Sequence, residues 1–505
     1  MITGLILVAA LAILGWGFYR AQPMGKVGLL AWLQSVVLML PWLLFFGLVP
    51  FGIYLNLAGV LMLLFLSILS YIGLGRQLRT AAQEAEKLPS LSSLTLPPEL
   101  SPESSPESLP DSLSTADPAP PANSPADSSA SGPDLVPMPA EDLQTVKGIF
   151  GIDSFFATET IAYQNGAIFR GNLRGEPDQV HQQLTALLQE RLPDRYRLFL
   201  VEGVEAKPVV VVLPSANDPK PTTLPQTIFA GILALATVAT SLEVGGLMQG
   251  FDFSSAPNRW AEVLPIASGI WAVLLAHELG HWLLARRYQV RLSPPFFIPT
   301  WQIGSFGGLR RFESLLPNRT VLFDIAFAGP AAGGLLALAM LVVGLVLSHP
   351  GSFFQVPAEF LQSSILVGTM ARIVLGNSVQ AEIVDVHPLV ILGWLGLVVT
   401  AINLMPAGQL DGGRIVQAIY GRKIAGRTTV ATLIVLGLAA LVNPLSLYWA
   451  IVILFLQRDL ERPALNELTE PDDARAALGL LILFLMAATL LPLTPSLAGR
   501  LGIGG

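Results

Sequence analysis

The sequence predicts a polytopic α-helical membrane protein that carries one small α+β domain outside the bilayer. Three observations lead there. Only 13% of the 505 residues are charged and 52% are hydrophobic, against roughly 25% charged residues in a soluble globular domain. Apolar segments of about 20 residues, long enough to cross a hydrocarbon core, recur along the chain. Between the third and the fourth of them the composition turns first to a polar, low-complexity stretch and then to an ordinary mixed one.

The apolar segments fall near residues 2–19, 28–49, 52–73, 225–245, 263–285, 321–347, 388–406, 428–457 (one long or two short) and 475–494. The first has neither a basic stretch before it nor a small-residue cleavage site after it, so it reads as a retained helix rather than a signal peptide. This divides the chain into N-terminal membrane helices (1–75), a linker (76–140), a soluble domain (141–216), a membrane core (222–460) and a C-terminal helix with its tail (461–505).

Residues 88–140 are mostly Ser, Pro, Leu and Ala, with seven acidic residues and no Lys or Arg. Such a stretch buries too little apolar surface to offset its chain entropy and is expected to be disordered. The next 75 or so residues alternate in the manner of a folded domain. Residues 160–163 and 167–173 flank Asn165-Gly166, a hairpin signal. Pro177 opens a helix with Val180, Leu184, Leu187 and Leu188 on one face, and β-rich runs follow at 197–201 and 208–213.

The formal net charge is -7, which gives no footing for nucleic-acid binding. Basic residues cluster after alternate spans: Arg20 and Lys26; Arg76, Arg79 and Lys87; Arg286, Arg287 and Arg291, followed by Arg310, Arg311 and Arg319; and Arg414, Arg422, Lys423 and Arg427. The connections at 245–262 and 348–387 carry few. The basic side is expected to be cytoplasmic, with the linker and soluble domain on it.

The chain has no cysteine, so disulfides, thiolate metal sites and cysteine nucleophiles are excluded. It has five histidines: His181, His277, His281, His349 and His387. Two of them stand in His277-Glu278-Leu279-Gly280-His281, inside an apolar span. On a helix His277 and His281 lie one turn apart on the same face, so both imidazoles can hold one metal ion. Glu278 is placed to take a proton from water activated by that metal. Ionisable groups inside a span are costly and mark function, which disfavours a chance grouping. Three protein ligands and an open position make the usual catalytic zinc site, so a third ligand is expected from elsewhere.

The candidate is Asp411, at the end of Asn403-Leu404-Met405-Pro406-Ala407-Gly408-Gln409-Leu410-Asp411-Gly412-Gly413. Pro406 breaks the helix, and Gly408, Gly412 and Gly413 permit unusual torsions around the carboxylate. An ordinary Asp-Gly turn is the alternative. Asn403 is a candidate substrate-binding residue; satisfying a freed helix carbonyl is its alternative. His387, before Pro388, is expected at the water interface, and His181 and His349 in solvent.

Together the two motifs resemble the site-2 protease family of intramembrane zinc metalloproteases, over residues 225–460. The resemblance implies one zinc ion per chain on His277, His281 and Asp411, Glu278 as catalytic base, and the transmembrane helices of other proteins as substrates. Gly171-Asn172-Leu173-Arg174-Gly175 resembles the signature of the ethylene-dependent gravitropism-deficient and yellow-green branch, found in chloroplasts and cyanobacteria. That implies a plasma or thylakoid membrane of a cyanobacterium-like cell. A structural turn remains the alternative for those five residues.

Residues 293–318 are too apolar for a plain loop and too broken by Pro294, Pro295, Pro299, Gly304, Gly307 and Gly308 for a helix. In the family resembled, this region is strand-like beside the active site, and an unwound substrate is expected to pair with it around Gln302 and Ser305. Gly329-Pro330 and Gly333-Gly334 are expected to allow close helix packing. A transporter using the same ligands transiently, and an inert scaffold acting through residues 141–216, are the readings from other functional classes.

Overall fold

A computed structural model describes residues 138–503, apart from 164, 204–206, 302, 442 and 458, together with the helix Gly25–Leu48 (α1) and isolated residues near it. The expected spans 2–19 and 52–73 lie largely outside the described residues, as do the linker and Gln302. The α1 helix belongs to a unit ending at Asp127; everything below concerns the unit that begins at Ser128.

That unit starts with a short helix, Ala140–Lys147 (α2), whose charges suit its dipole, acidic at the start and basic at the end. A hairpin follows, Phe155–Tyr163 (β1) and Gly166–Leu173 (β2), turned at Asn165 with φ 58°. Asn tolerates this left-handed conformation, hence its place in the tightest hairpin turns. Pro177–Arg191 (α3) has its proline in the first turn, where a missing N–H costs nothing. Tyr196–Glu202 (β3) and Pro208–Pro214 (β4) complete an antiparallel sheet of order β1-β2-β4-β3.

Val180, Leu184 and Leu188 of α3 pack on Phe155, Phe169, Leu198, Leu200, Val210 and Val212, covering one face of the sheet. Asp142 ties α2 to β3: it accepts from Arg195 at 2.8 and 2.6 Å and from the Tyr196 hydroxyl at 2.6 Å. Burial beside this carboxylate pushes the Tyr196 phenol up to about 12. The Gly171 to Gly175 motif ends β2. Gly171 pairs with Ala157 beside a bulge and sits against the Phe156 carbonyl, where a side chain would collide; Gly175 has φ +103°. His181 is half-buried rather than solvated, with Nε2 3.3 Å from the Leu198 carbonyl, because the α3 face that carries it lies against β3.

The membrane core begins at Leu224–Leu247 (α4), opened by a capping box of Thr223 and Gln226. Trp260–Arg287 (α5) is about 42 Å long at 1.5 Å per residue. Between it and Arg319–Leu347 (α6), residues 293–318 form a strand pair, Phe296–Thr300 (β5) and Gly304–Leu309 (β6).

The connection 348–387 is not a plain loop. It folds as a hairpin of Phe354–Pro357 (β7) and Ile383–Val386 (β8), holding between them Ala358–Gln362 (α7) and Ile365–Leu375 (α8), because Val356, Leu361, Val379, Val384 and Val386 find a common core. Pro388–Asn403 (α9) follows, capped by His387, whose ring accepts from the Leu389 N–H.

The segment 428–457, expected as one long or two short spans, is divided between two helices: one starts at Asp411, breaks at Gly421 (φ 79°) and runs to Ala439 (α10), and after a turn Pro444–Val452 (α11) follows. Asp473–Leu490 (α12) and Pro495–Leu501 (α13) finish it. Among the described residues four helices are long and apolar enough to cross a membrane: Leu224–Leu247, Pro257–Arg287, Arg319–Leu347 and Asp473–Leu490, with α9 a shorter apolar helix.

The α6 helix packs along both α5 and α9. Small residues set the approach: Gly396 of α9 faces Ala337 and Gly280 of α5 faces the Ala328 carbonyl. Leu275, Leu279 and Leu283 form the outward stripe of α5, while His277, Glu278 and His281 point inward.

Candidate metal centre

One turn of α5 sets His277 and His281 side by side, with their Nε2 atoms 3.1 Å apart. The Asp411 Oδ2 atom lies 3.2 Å from the first and 3.4 Å from the second. All three side chains are buried. Donors bound at 2.0 to 2.1 Å to one tetrahedral zinc are separated by about 3.3 Å, so this triangle is the size of one face of such a site. The chemistry of the donors agrees. His281 Nδ1 lies 2.7 Å from the Ile325 carbonyl, which can only accept, so this nitrogen carries the proton and Nε2 presents a bare lone pair. A bare nitrogen facing a carboxylate oxygen is repulsive unless a proton or a metal cation stands between them. The residues present fit a zinc ion.

Two glycines make the space. Gly329 of α6 lies so close to the His281 ring that a β-carbon there would overlap it, and a β-carbon at Gly333 would come within 2.9 Å of His277 Cβ. Close helix packing was expected from these glycines; that they accommodate the ligands themselves was not legible.

Asp411 arrives by a different route from the one expected. The α9 helix ends at Asn403, before Pro406, and Asp411 stands in the first turn of α10, where the helix dipole favours a carboxylate. Gly408 has φ +49°, but Gly412 and Gly413 are helical. They are needed for closeness instead, because Gly412 touches the Leu404 carbonyl and Gly413 the Ala407 and Gly408 carbonyls. The turn is pinned by Gly408 N–H to Thr429 Oγ1 (2.8 Å) and Gln409 N–H to the Gln457 carbonyl (3.0 Å).

Glu278 is buried and pairs with the Arg310 guanidinium, which follows β6. Arg414 donates to the Arg310 carbonyl (2.7 Å) and to Glu461 (3.0 Å), and stacks on Phe312 at 4.8 Å. Asn403 donates to the Phe306 carbonyl of β6 (3.1 Å) and to Val399 (2.9 Å), so its amide nitrogen joins α9 to the strand pair. A cavity of about 10 Å³, the size of one water, borders His277, Glu278, Gly307, Thr400 and Asn403. His387 caps α9 at the end opposite Asn403, His349 is exposed and His181 lies in the α+β domain, so none of the three joins the centre. Arg310, Arg414 and Glu461 were missed, since sequence alone shows the arginines only as members of basic clusters.

The chain matches Peptidase family M50 over residues 265–443 and the EGY3 middle domain over residues 144–220. It is 38% identical over 367 residues to the probable zinc metalloprotease EGY2, chloroplastic, of Arabidopsis thaliana, covering 71% of this chain and 66% of that protein. It is 37% identical over 401 residues to the probable zinc metalloprotease EGY1, chloroplastic, of the same plant, covering 72% and 73%. With the probable zinc metallopeptidase EGY3, chloroplastic, the identity is 32% over 378 residues, covering 70% and 66%. The chain thus spans just under two thirds of the EGY2 and EGY3 relatives and more of EGY1. No solved structure matches. These likenesses do not favour the transporter or scaffold readings. The chain belongs to peptidase family M50, the site-2 protease family, among the EGY zinc metalloproteases.

Proposed function

We propose that this protein hydrolyses peptide bonds within or beside the transmembrane helices of membrane-protein substrates. The observation that carries the reading is the convergence of His277, His281 and Asp411, with Glu278 beside them, in the buried interior of an apolar helix bundle. Zinc held by those three side chains supplies Lewis acidity to the scissile carbonyl and to water. Glu278 takes the proton of the attacking water and passes it to the leaving amide nitrogen. The Ile325 carbonyl keeps His281 in the tautomer that leaves Nε2 free. Arg310 orients the Glu278 carboxylate. A peptide bond inside a helix is protected by its own hydrogen bonds, so the substrate must unwind. The β5–β6 strand pair, tied by Asn403 to α9, is the element beside the centre able to hold extended backbone.

The basic clusters and the soluble domain are assigned to the cytoplasmic side. In support, Lys423 pairs with Glu202 of β3 at 3.3 Å and Arg462 donates to the Asn217 carbonyl at 3.1 Å, which puts basic residues of the core and the domain at one end. The curated relatives are named chloroplastic; for this chain a plasma or thylakoid membrane of a cyanobacterium-like cell is the corresponding location.

The test is a pair of variants in the full-length protein reconstituted in liposomes. Glu278→Gln is expected to keep stoichiometric zinc and lose cleavage of a single-span reporter, whereas His281→Ala loses both. Undiminished cleavage by Glu278→Gln would remove the base from the mechanism.

A further inference from the structure

The sheet of the soluble domain is apolar on both faces, and its own helices cover only one. β4 carries Val209, Val210, Val211 and Val212 in succession, the pattern of a strand shielded on both sides. Val210 and Val212 pack under α2 and α3. Val211, Leu213, Ile168 and Phe199 instead line a cleft of about 980 Å³. The opposite wall is the membrane core, at residues 311–313, Leu315, Gln409 and residues 461–463. A volume at the top of the range for ligand sites, about 300 to 1,000 Å³, is too large for a packing flaw.

Residues that line the cleft adjoin residues of the metal centre. Gln409 precedes Asp411 by two residues, Arg311 adjoins the arginine that engages Glu278, and Glu461 holds Arg414, which in turn holds the Arg310 carbonyl. The domain is tied to the core nearby: the Leu200 N–H donates to the Leu465 carbonyl (2.7 Å), and the Leu465 N–H donates to the Leu316 carbonyl of the core (2.9 Å). The charges that line the cleft are unequal. Asp218 is paired with Arg197, Glu461 with Arg414, and Glu313 accepts from the Thr222 backbone at 2.8 Å. Arg311 and Arg462 donate to neutral acceptors, and Lys220 is exposed.

We infer that this cleft receives, in extended form, the segment of a substrate that leaves the membrane next to the scissile bond, and that it selects segments mixing acidic and apolar residues. The inference rests on the proteolytic reading above. An apolar wall opposite cations that pair with no carboxylate among the described residues is the complement of such a segment, and Gln409, which lines the cleft, stands two residues before Asp411 in sequence.

The test uses two reporters with the same apolar span, one followed by alternating Leu and Glu, the other by Ser and Gly. Val211→Lys and Lys220→Glu, each checked for full zinc content, are expected to raise KM for the Leu/Glu reporter about tenfold, with kcat unchanged and the Ser/Gly reporter unaffected. Equal effects on both reporters, or none on either, would overturn the inference. A photoreactive residue at Leu213 in the Glu278→Gln protein is expected to crosslink to the Leu/Glu segment. Crosslinking to the chain's own residues 88–137 instead would assign the cleft to that acidic stretch and overturn it equally. If the unmodified protein cleaves neither reporter, the proteolytic reading falls, and the crosslink still decides what occupies the cleft.

Discussion

At Glu278 the requirement is orientation as much as acidity. Arg310 supplies it, and Arg414 secures Arg310 through its carbonyl while its Nε bonds Glu461. Loss of an outer partner of this kind typically costs about 10- to 100-fold in activity. Arg310→Ala should therefore lower kcat by about that factor, leave zinc content and KM near their starting values, and recover in part as Arg310→Lys. Steady-state kinetics with metal analysis check it; loss of zinc would instead make Arg310 a structural support.

Far from this centre, burial pushes the His181 imidazole below its ordinary value near 6.5, against the opposing pull of the Leu198 carbonyl and Asp178. The unfolded chain then binds the proton more readily than the folded one. The contribution to stability is whole above about pH 6.5 and is lost as pH falls from there through the lowered folded value. Protection factors of the α3 amides, corrected for the intrinsic pH dependence of exchange, should fall on acidification, and His181→Asn should flatten that response. The ligand pair and its base were legible because one helical turn fixes their spacing. Asp411 was legible only as a candidate. Arg310 was not, because its role exists only once the β5–β6 pair folds back over α5.

Among the elements, α6 decides whether the centre can exist. Gly329 and Gly333 clear the volume that His281 and His277 occupy. Gly329→Val should abolish zinc binding while the protein remains membrane-inserted, whereas Gly437→Ala in α10, with nothing within 4 Å of its β-carbon position, should bind zinc normally. Metal analysis of the purified variants distinguishes them. The sequence showed these glycines as packing residues without showing what packs there, since that depends on the rotation of α5 about its own axis. Likewise Asp411-Gly412-Gly413 looks like a turn in sequence, yet it is the start of α10: glycines serve tight approach as readily as rare torsions. The hairpin of β1 and β2 was plain from Asn165-Gly166, whereas the β7–β8 connection was not, because its core also draws on Leu493, Ala498 and Ile503, far away in sequence.

For the whole molecule, composition marked apolar segments and a mixed α+β stretch, but nothing in it showed how the α+β domain meets the core. The joint is residues 465–467, which bond β3 on one side and residues 316–317 on the other. Leu465→Pro removes the N–H that reaches Leu316, a net loss of about 1 kcal/mol before any strain. It should leave zinc bound while making the stretch between β4 and α4 more sensitive to protease. Limited proteolysis of reconstituted protein measures this.

The same three residues settle a further matter. A sheet exposes unpaired backbone groups at its two outermost strands, an invitation to stacking with other chains. Here β3 is one of those strands and its rim is already occupied by residues 465–467, leaving β1 as the other. Any second polypeptide that extends this sheet, whether a regulator or a misassembled copy, therefore has β1 as its point of entry, and it would have to pass the bulge between Ala157 and Glu159 to do so.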